Sequence, residues 1–567
     1  MKKLKYDRYK SALFYACLFF LLSGYILYPL LNTVMQAFHG EGGFTLSVFR
    51  EYVSNPNHLQ VIRNTALLGV GSVLCCGVLG SALAGYMTFC APRMKRLLHI
   101  ILLSPMMIPG VIIVIAFVQL YGESGIVTKL IELLLHRDTP LFGFSGLPGI
   151  LFVITYTQYV YFYMNVSVAL RYVDYSAVEA AASLGAGKWK ICKDVILPTV
   201  RPALITSATM TFASGVGAFS APNLIGGGFK VLSTQIVRSK ANNYMDVASV
   251  QVLMLLLMSA SVMLLLEYYK KRCTYTRAVR ATPLMPQRQG SARRALFHVL
   301  MGLQVFMVVI PIAGILYMSF NTTHSIMTDI FPCELTLENF SNIFHSARFL
   351  KPLINSLKMS FMAVGGGLLL TVPVSYLSWR QRGVWSRMAK SIMLLPWCMP
   401  VSVIGVNMIN AFNTKSIFAF GQALIGGFSI LPIAYIIIAL PLLLSANDTA
   451  MDSFNPVLED ASRSLGASPF LTVLRVVLPG IAPGIAAGGI LVFIRTMGEY
   501  TVSALLYGVH NRPISISMVL NIHEFNIGVS MALGVIVIGI SYVTLLLLLK
   551  LDKRQRPLTQ DSYSENA

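Results

Sequence analysis

Twelve runs of about 20 mostly apolar residues, each long enough to cross the hydrocarbon core of a bilayer as a helix, follow one another along this chain and leave room for little else. They cover residues 11–37, 61–90, 98–121, 147–170, 199–226 and 246–269, then 294–320, 352–378, 387–411, 426–446, 480–507 and 526–550. A chain that enters lipid must satisfy its backbone hydrogen bonds internally, so these lengths predict an all-α polytopic membrane protein. Composition agrees: mean hydropathy is +0.68 and charged residues make up 12% of the chain, against roughly 25% in soluble proteins. A soluble enzyme is excluded. A nucleic-acid binder is excluded too, because the net charge of +21 lies in short gaps between apolar runs and not along one face.

The basic residues also orient the chain. Lys and Arg collect in every second connection: Arg93, Lys95 and Arg96; Arg171, Lys188, Lys190 and Lys193; Lys270 to Arg294; Arg380, Arg382, Arg387 and Lys390; and Lys550 to Arg556. By the positive-inside rule these connections and both termini face the cytoplasm. The first run is too long for a signal peptide and lacks a small-x-small cleavage site, so it reads as a retained first helix. The eight cysteines show no C-x-x-C spacing and only Cys333 falls in an outward connection, which predicts neither a disulfide framework nor a metal centre. His324, His345, His510 and His523 are outward too, and no pair has ligand spacing on one helix.

The chain repeats itself. Ser183-Leu184-Gly185-Ala186, Leu197-Pro198 and Pro202 recur as Ser464-Leu465-Gly466-Ala467, Leu478-Pro479 and Pro483, always 281 residues later. Phe212, Gly217, Phe219 and Gly227 keep that offset to Phe493, Gly498, Tyr500 and Gly508, while Asn64, Pro105 and Pro109 meet Asn355, Pro396 and Pro400 at 291. Two six-helix halves are therefore predicted, 1–272 and 294–567, joined by a polar, basic linker at 273–293. Each half starts on the same side, so the repeat is parallel, with its axis along the membrane normal.

The repeat is densest in one connection. Glu179, Ala180 and Ala181 belong to a short stretch of good helix formers, Gly185 breaks it, and Trp189, Ile191, Val195 and Ile196 can form the apolar stripe of a second helix. Pro198 is expected to end that helix before the next span. The second copy has Glu459, Asp460, Ala461, Gly466, Phe470, Leu478 and Pro479, with Phe470 in the place of Trp189. These residues resemble the E-A-A…G…L-P coupling motif of type I ATP-binding cassette importer permeases, and the likeness extends over essentially the whole chain. The resemblance implies that Gly185 and Gly466 are the characteristic glycines, that Leu197-Pro198 and Leu478-Pro479 close the motif, and that Glu179 is its acidic start. In the second copy Asp460 is in register with Glu179 and Glu459 stands one place earlier, so either acid can fill that role. It further implies that the two loops dock on cytoplasmic ATPase subunits, two copies in all, and that an extracytoplasmic binding protein delivers the solute. No G-x-x-x-x-G-K-[ST] phosphate loop occurs in this chain, so ATP hydrolysis is assigned to a partner, and no cofactor is implied.

Ionisable residues inside spans are expensive and mark function by default. Arg495 and Glu499 share a face of the eleventh run, where the fifth has Ser214 and Ala218. They read either as a polar lining of the pathway or as a packing ion pair. Ser214, Phe219, Arg495, Glu499 and Tyr500 are the candidate pathway, and Phe219 to Gly228 is expected to form an irregular outward gate. Among relatives of the permease family the likeness is greatest to the ferric-iron branch, with 2-aminoethylphosphonate, thiamine, polyamine and inorganic oxyanion permeases as its neighbours. A secondary, ion-coupled transporter is the rival of another class, since twelve spans in two parallel halves also describe that architecture. The duplicated loop and the scarcity of buried charge argue against it, and no His or acidic cluster within the spans supports a membrane enzyme.

Overall fold

The computed structural model describes residues 13–40, 43–90, 92, 94–136, 143–272, 291–329, 331–381 and 383–553. Of the predicted linker, 273–290 lie outside the described residues, and 291–293 already belong to the next helix. Each of the twelve apolar runs falls on a helix: α1 (Leu13–Ala37), α2 (Pro56–Phe89), α3 (Gly110–Tyr121), α4 (Gly146–Leu170), α5 (Leu197–Val216) and α6 (Met245–Arg272) in the first half. The second half has α7 (Ser291–Ser319), α8 (Ala347–Gln381), α9 (Val401–Phe412), α10 (Ile430–Ser453), α11 (Leu478–Met497) and α12 (Ile527–Lys553). Among the described residues ten helices are long and apolar enough to cross a membrane, and a bent pair ending in α9 makes eleven. The 25-residue α4 is more polar because it holds four tyrosines. Two of those hydroxyls donate into the protein, Tyr156 to the Val308 carbonyl at 3.0 Å and Tyr159 to the Leu102 carbonyl at 2.7 Å, so the polarity is satisfied where lipid does not reach.

Four of the predicted spans are interrupted. The run 98–121 is a helix Lys95–Leu103, a tight turn at Ser104–Met107 and then α3; the run 387–411 is a helix Val384–Leu394, a turn at Leu395–Trp397 and then α9, bent by 110°. Pro105, Pro109, Pro396 and Pro400 account for both breaks, since proline has no N–H to give and keeps the residue before it out of the helical region. The runs 199–226 and 480–507 end early, at Val216 and Met497, and resume after Gly217 and Gly498 as the short helices Ser220–Ile225 and Thr501–Leu506.

Within each half the same trio packs together, α2, α4 and α5 in one and α8, α10 and α11 in the other. The duplication extends to single hydrogen bonds. Thr65 Oγ1 on α2 accepts from the Leu232 N–H at 2.9 Å, and Ser356 Oγ on α8 accepts from the Ile514 N–H at 2.8 Å. The first helix of each half stands outside its own trio and packs on the other half: α1 lies against α9, and α7 against α3. Tyr25 on α1 donates to the Phe418 carbonyl and Asn32 to the Asn410 carbonyl, both at 2.8 Å. The largest buried apolar clusters accordingly draw on both halves, one from α1, α6, α9 and α10 and one from α3, α7 and α12.

This exchange makes neither half a complete folding unit. Cutting the chain within 273–290 and expressing the pieces together should yield a complex that co-purifies from detergent. Either half alone should be degraded or aggregate, because α1 or α7 then lacks the surface that covers it. A half that purifies alone as a monodisperse monomer contradicts the exchanged packing.

Candidate functional site

The two repeated connections fold into matching helical hairpins. Asp174 caps the helix Tyr175–Ser183 by accepting from the Ser176 N–H at 3.2 Å, and Asn455 caps Pro456–Ser464 by accepting from the Val457 N–H at 3.0 Å. At their far ends the hydrogen bonds coincide position for position. Leu184 N–H reaches the Ala180 carbonyl, Gly185 reaches Ala182 and Ala186 reaches Ala181, at 3.0, 2.9 and 3.0 Å; Leu465, Gly466 and Ala467 reach Ala461, Arg463 and Ser462 at 3.1, 2.9 and 3.2 Å. This is the helix stop in which a left-handed residue lets two N–H groups fold back onto the last carbonyls. Gly185 and Gly466 supply it with φ of 79° and 86°, and a Cβ at either would touch nothing within 4 Å, so the need for glycine lies wholly in the backbone conformation.

The second arm of each hairpin does not stop at its proline as the sequence suggests. Lys188–Ile191 and Pro469–Thr472 run on through five-residue π turns, Cys192–Ile196 and Val473–Val477, directly into α5 and α11. Proline lacks the N–H an α-helix would use at that point, and the wider turn avoids its clash with the carbonyl four residues back. The Leu197 and Leu478 N–H groups close the turns on the carbonyls of Cys192 and Val473. Each hairpin is thus continuous with a span.

The apolar stripe divides. Ile191, Val195 and Ile196 pack against α2, α4 and their neighbours, whereas Leu184 and Trp189 project outward, 87% and 80% exposed. Leu465 and Phe470 repeat this at 89% and 76%. The hairpins precede repeat-related spans, α5 and α11. The structure also separates the two acids of the second copy. Asp460, like Glu179, is exposed. Glu459 is buried; its Oε1 lies 3.0 Å from Arg380 and 3.1 Å from Arg463 and accepts from the Tyr376 hydroxyl at 2.9 Å. It occupies the place of buried Val178, 281 residues earlier, so it ties the hairpin to α8. Sequence reasoning missed this network because Tyr376 and Arg380 lie about 80 residues away on another helix.

At the other ends of α5 and α11 the halves meet. Phe219 and Tyr500, repeat partners, stack on each other with ring centroids 5.3 Å apart, and Asn223 Nδ2 donates to the Tyr500 hydroxyl at 3.2 Å. A Cβ on Gly217 would lie 3.0 Å from Pro400 Cβ, and one on Gly498 would lie 2.1 Å from Pro109 Cβ. Each glycine thus seats the opposite half's broken helix. Ser214 is half-buried beside this contact. Arg495 is exposed and joins none of the ion pairs among the described residues, so no salt bridge closes between it and Glu499, although its charge acts on the Glu499 carboxylate. Glu499 Oε1 accepts from the N–H groups of Thr501 and Val502 at 2.8 and 3.3 Å, capping the short helix that follows.

The model of the family described as binding-protein-dependent transport system inner membrane component matches twice, over residues 77–275 and 364–557. The chain is 28% identical to a probable ABC transporter permease protein of Sinorhizobium fredii over 87% of its own length and 88% of that protein's. It is 25% identical to a putative ferric transport system permease protein of Haemophilus influenzae, covering 87% of this chain and 77% of the other. A putative 2-aminoethylphosphonate transport system permease protein of Salmonella typhi is 26% identical over 36% of this chain and 72% of its own.

The two acids of the second hairpin should behave differently on substitution. Glu459→Leu leaves Arg380 and Arg463 without their buried partner and should cost on the order of 3 kcal/mol, read as a lowered melting temperature in detergent. Asp460→Asn should leave the melting temperature within about 1 °C, since surface changes cost little.

Proposed function

The chain belongs to the binding-protein-dependent transport system inner membrane components, and from that premise we propose that it forms the whole translocation pathway of an ABC importer and takes its power stroke at two unlike hairpins. It is the permease, a multi-span component of the inner membrane, and both halves of that component are fused in one chain. The observation that carries the proposal is the pair of outward-facing apolar side chains at repeat positions, Leu184 with Trp189 and Leu465 with Phe470, on hairpins continuous with spans. Large aromatic side chains so exposed are the kind that anchor interfaces. Two cytoplasmic ATPase subunits are the occupants this reading assigns, one per hairpin, with Glu179 and Asp460 as the acids offered to them and both termini on the same side. The Phe219–Tyr500 stack is the outer gate, closed in this conformation, and a substrate-binding protein serves it from outside. Ferric iron is the permeant favoured by the relatives that span most of the chain, with 2-aminoethylphosphonate the alternative that the shorter match supports.

Closure of an ATPase dimer moves spans only if the element between them is stiff, and the left-handed glycine together with the π turn provides that stiffness. Trp189→Ala and Phe470→Ala should each weaken ATPase association by roughly tenfold or more, without reducing the amount of permease in the membrane. Gly185→Ala and Gly466→Ala place a Cβ in the left-handed region at a cost of about 1 kcal/mol and should lower uptake further in combination than singly. The measurements are co-purification of the ATPase and ATP-driven uptake per permease. Full uptake in the double aromatic variant overturns the docking role.

A further inference from the structure

The gate end of α11 carries an exposed cation that makes no salt bridge among the described residues; the nearby Glu499 carboxylate interacts with it only at longer range. Arg495 stands one turn before the Gly498 break, exposed between buried Ile494 and Thr496. The ion pairs among the described residues are Glu267–Lys270, Arg348–Glu524, Arg380–Glu459, Arg463–Glu459 and Lys390–Asp448, and Arg495 is in none of them. The nearest acid along the chain, Glu499, spends its Oε1 on two backbone N–H groups. A guanidinium at this depth is too costly to leave against lipid tails; such groups face water or a partner inside the bundle. Arg495 therefore opens on water beside the Phe219–Tyr500 stack.

Apart from Glu499, whose carboxylate caps the next helix, the surroundings have the same sign. Lys358 is exposed on α8, one turn from the Phe361 ring that packs 5.0 Å from Phe493 of α11. From α1 to α5 and from α7 to α9 the helices contain no Asp or Glu at all, and those of α6 and α10 lie near helix ends. Among the described residues no group of three or more His, Cys, Asp or Glu is placed to hold a metal ion. A bare trivalent cation needs such oxygen donors to replace its water, and a polyamine needs opposite charge. Near Arg495 this route offers one carboxylate, Glu499, already engaged by two backbone N–H groups, against the cations Arg495 and Lys358.

Resting on the importer reading, we propose that Arg495 determines specificity by pairing with a negatively charged group on the permeant as it passes the gate. The permeant crosses as an anion, either a small phosphonate or oxyanion, or ferric iron inside an anionic chelate. The first half has Ser214 at the equivalent place, so the contact is made from one side only.

The test uses the complete importer, this chain with its ATPase and binding protein, in proteoliposomes, with 2-aminoethylphosphonate, ferric citrate and putrescine as probes. ATP-driven uptake of either anionic probe is expected, and which of the two is taken up identifies the source of the charge. For that probe Arg495→Gln should raise KM by roughly tenfold or more, the effect of losing a charge-assisted hydrogen bond, with kcat changed less. Arg495→Lys should recover most of the loss, and Arg495→Ser combined with Ser214→Arg should recover part of it by restoring the charge from the other half. Membrane abundance of every variant, measured in parallel, separates this from misfolding. Uptake of putrescine in preference to both anions, or an unchanged KM in well-folded Arg495→Gln, overturns the proposal and leaves the importer reading intact. A wild-type complex that takes up no probe on ATP and holds no ATPase overturns the importer reading itself.

Discussion

An N–H or C=O left without a partner in hydrocarbon costs several kcal/mol, so a membrane chain can break its helices only where protein surrounds the break. In this chain that constraint joins the two halves. The breaks at Pro109 and Pro400 each need cover, and each receives it from the other half, where Gly498 and Gly217 have no Cβ and let the proline ring seat against backbone. α1 and α7 complete the enclosure by crossing to α9 and α3. Movement at this contact cannot be confined to one half, because moving Gly498 uncovers Pro109. The coupling of the two halves is a consequence of where irregular backbone is permitted.

The hairpins solve the opposite problem, that of holding a protruding element rigid without a core around it. Here the stiffness is local. The left-handed glycine lets the last carbonyls of the first arm be satisfied by the chain's own N–H groups. The π turn lets the second arm pass its proline with the hydrogen-bond ladder displaced by one residue and still continuous. Force applied at Trp189 or Phe470 therefore reaches Gly217 or Gly498 along one nearly unbroken helix, through Leu197–Val216 or Leu478–Met497.

What the sequence made legible and what it left hidden divide along sequence distance. Apolar runs mark the helices α1 to α12 but not shorter ones such as Leu232–Ala241, and repeat offsets mark the hairpins and the Gly217 and Gly498 contacts, because both signals are local or self-referential. Pro105, Pro109, Pro396 and Pro400 appear among the repeat positions, yet runs counted by hydropathy pass straight through them, since proline interrupts a helix without interrupting apolarity. The same blindness extended the fifth and eleventh spans past Gly217 and Gly498. Pro198 misled in the other direction: its rule against helix interiors is satisfied by a π turn as well as by a stop. The inward turn of Glu459 could be read only by noticing that it stands opposite Val178, a buried position, and not opposite Glu179.

The departures from symmetry carry the rest of the argument. A duplicated chain inherits two equal halves, and a substitution in one copy persists without a counterpart in the other. Where the first hairpin buries Val178, the second has Glu459 in an ion-pair network with Arg380 and Arg463, which ties it to α8 by charge and not by apolar packing. Arg495 stands where the first half has Ser214, and Lys358 where it has Leu67. Both charged replacements are cationic and both are in the second half, on helices that touch through Phe361 and Phe493. A transport route needs fixed charge only where the permeant must be distinguished, and one charged wall opposite an uncharged one holds a solute more weakly than two. Weak holding suits a pathway that must release what it admits. Divergence of the two copies is what allows such one-sided chemistry, since a symmetric pair of identical halves would have placed two guanidinium groups at the same level.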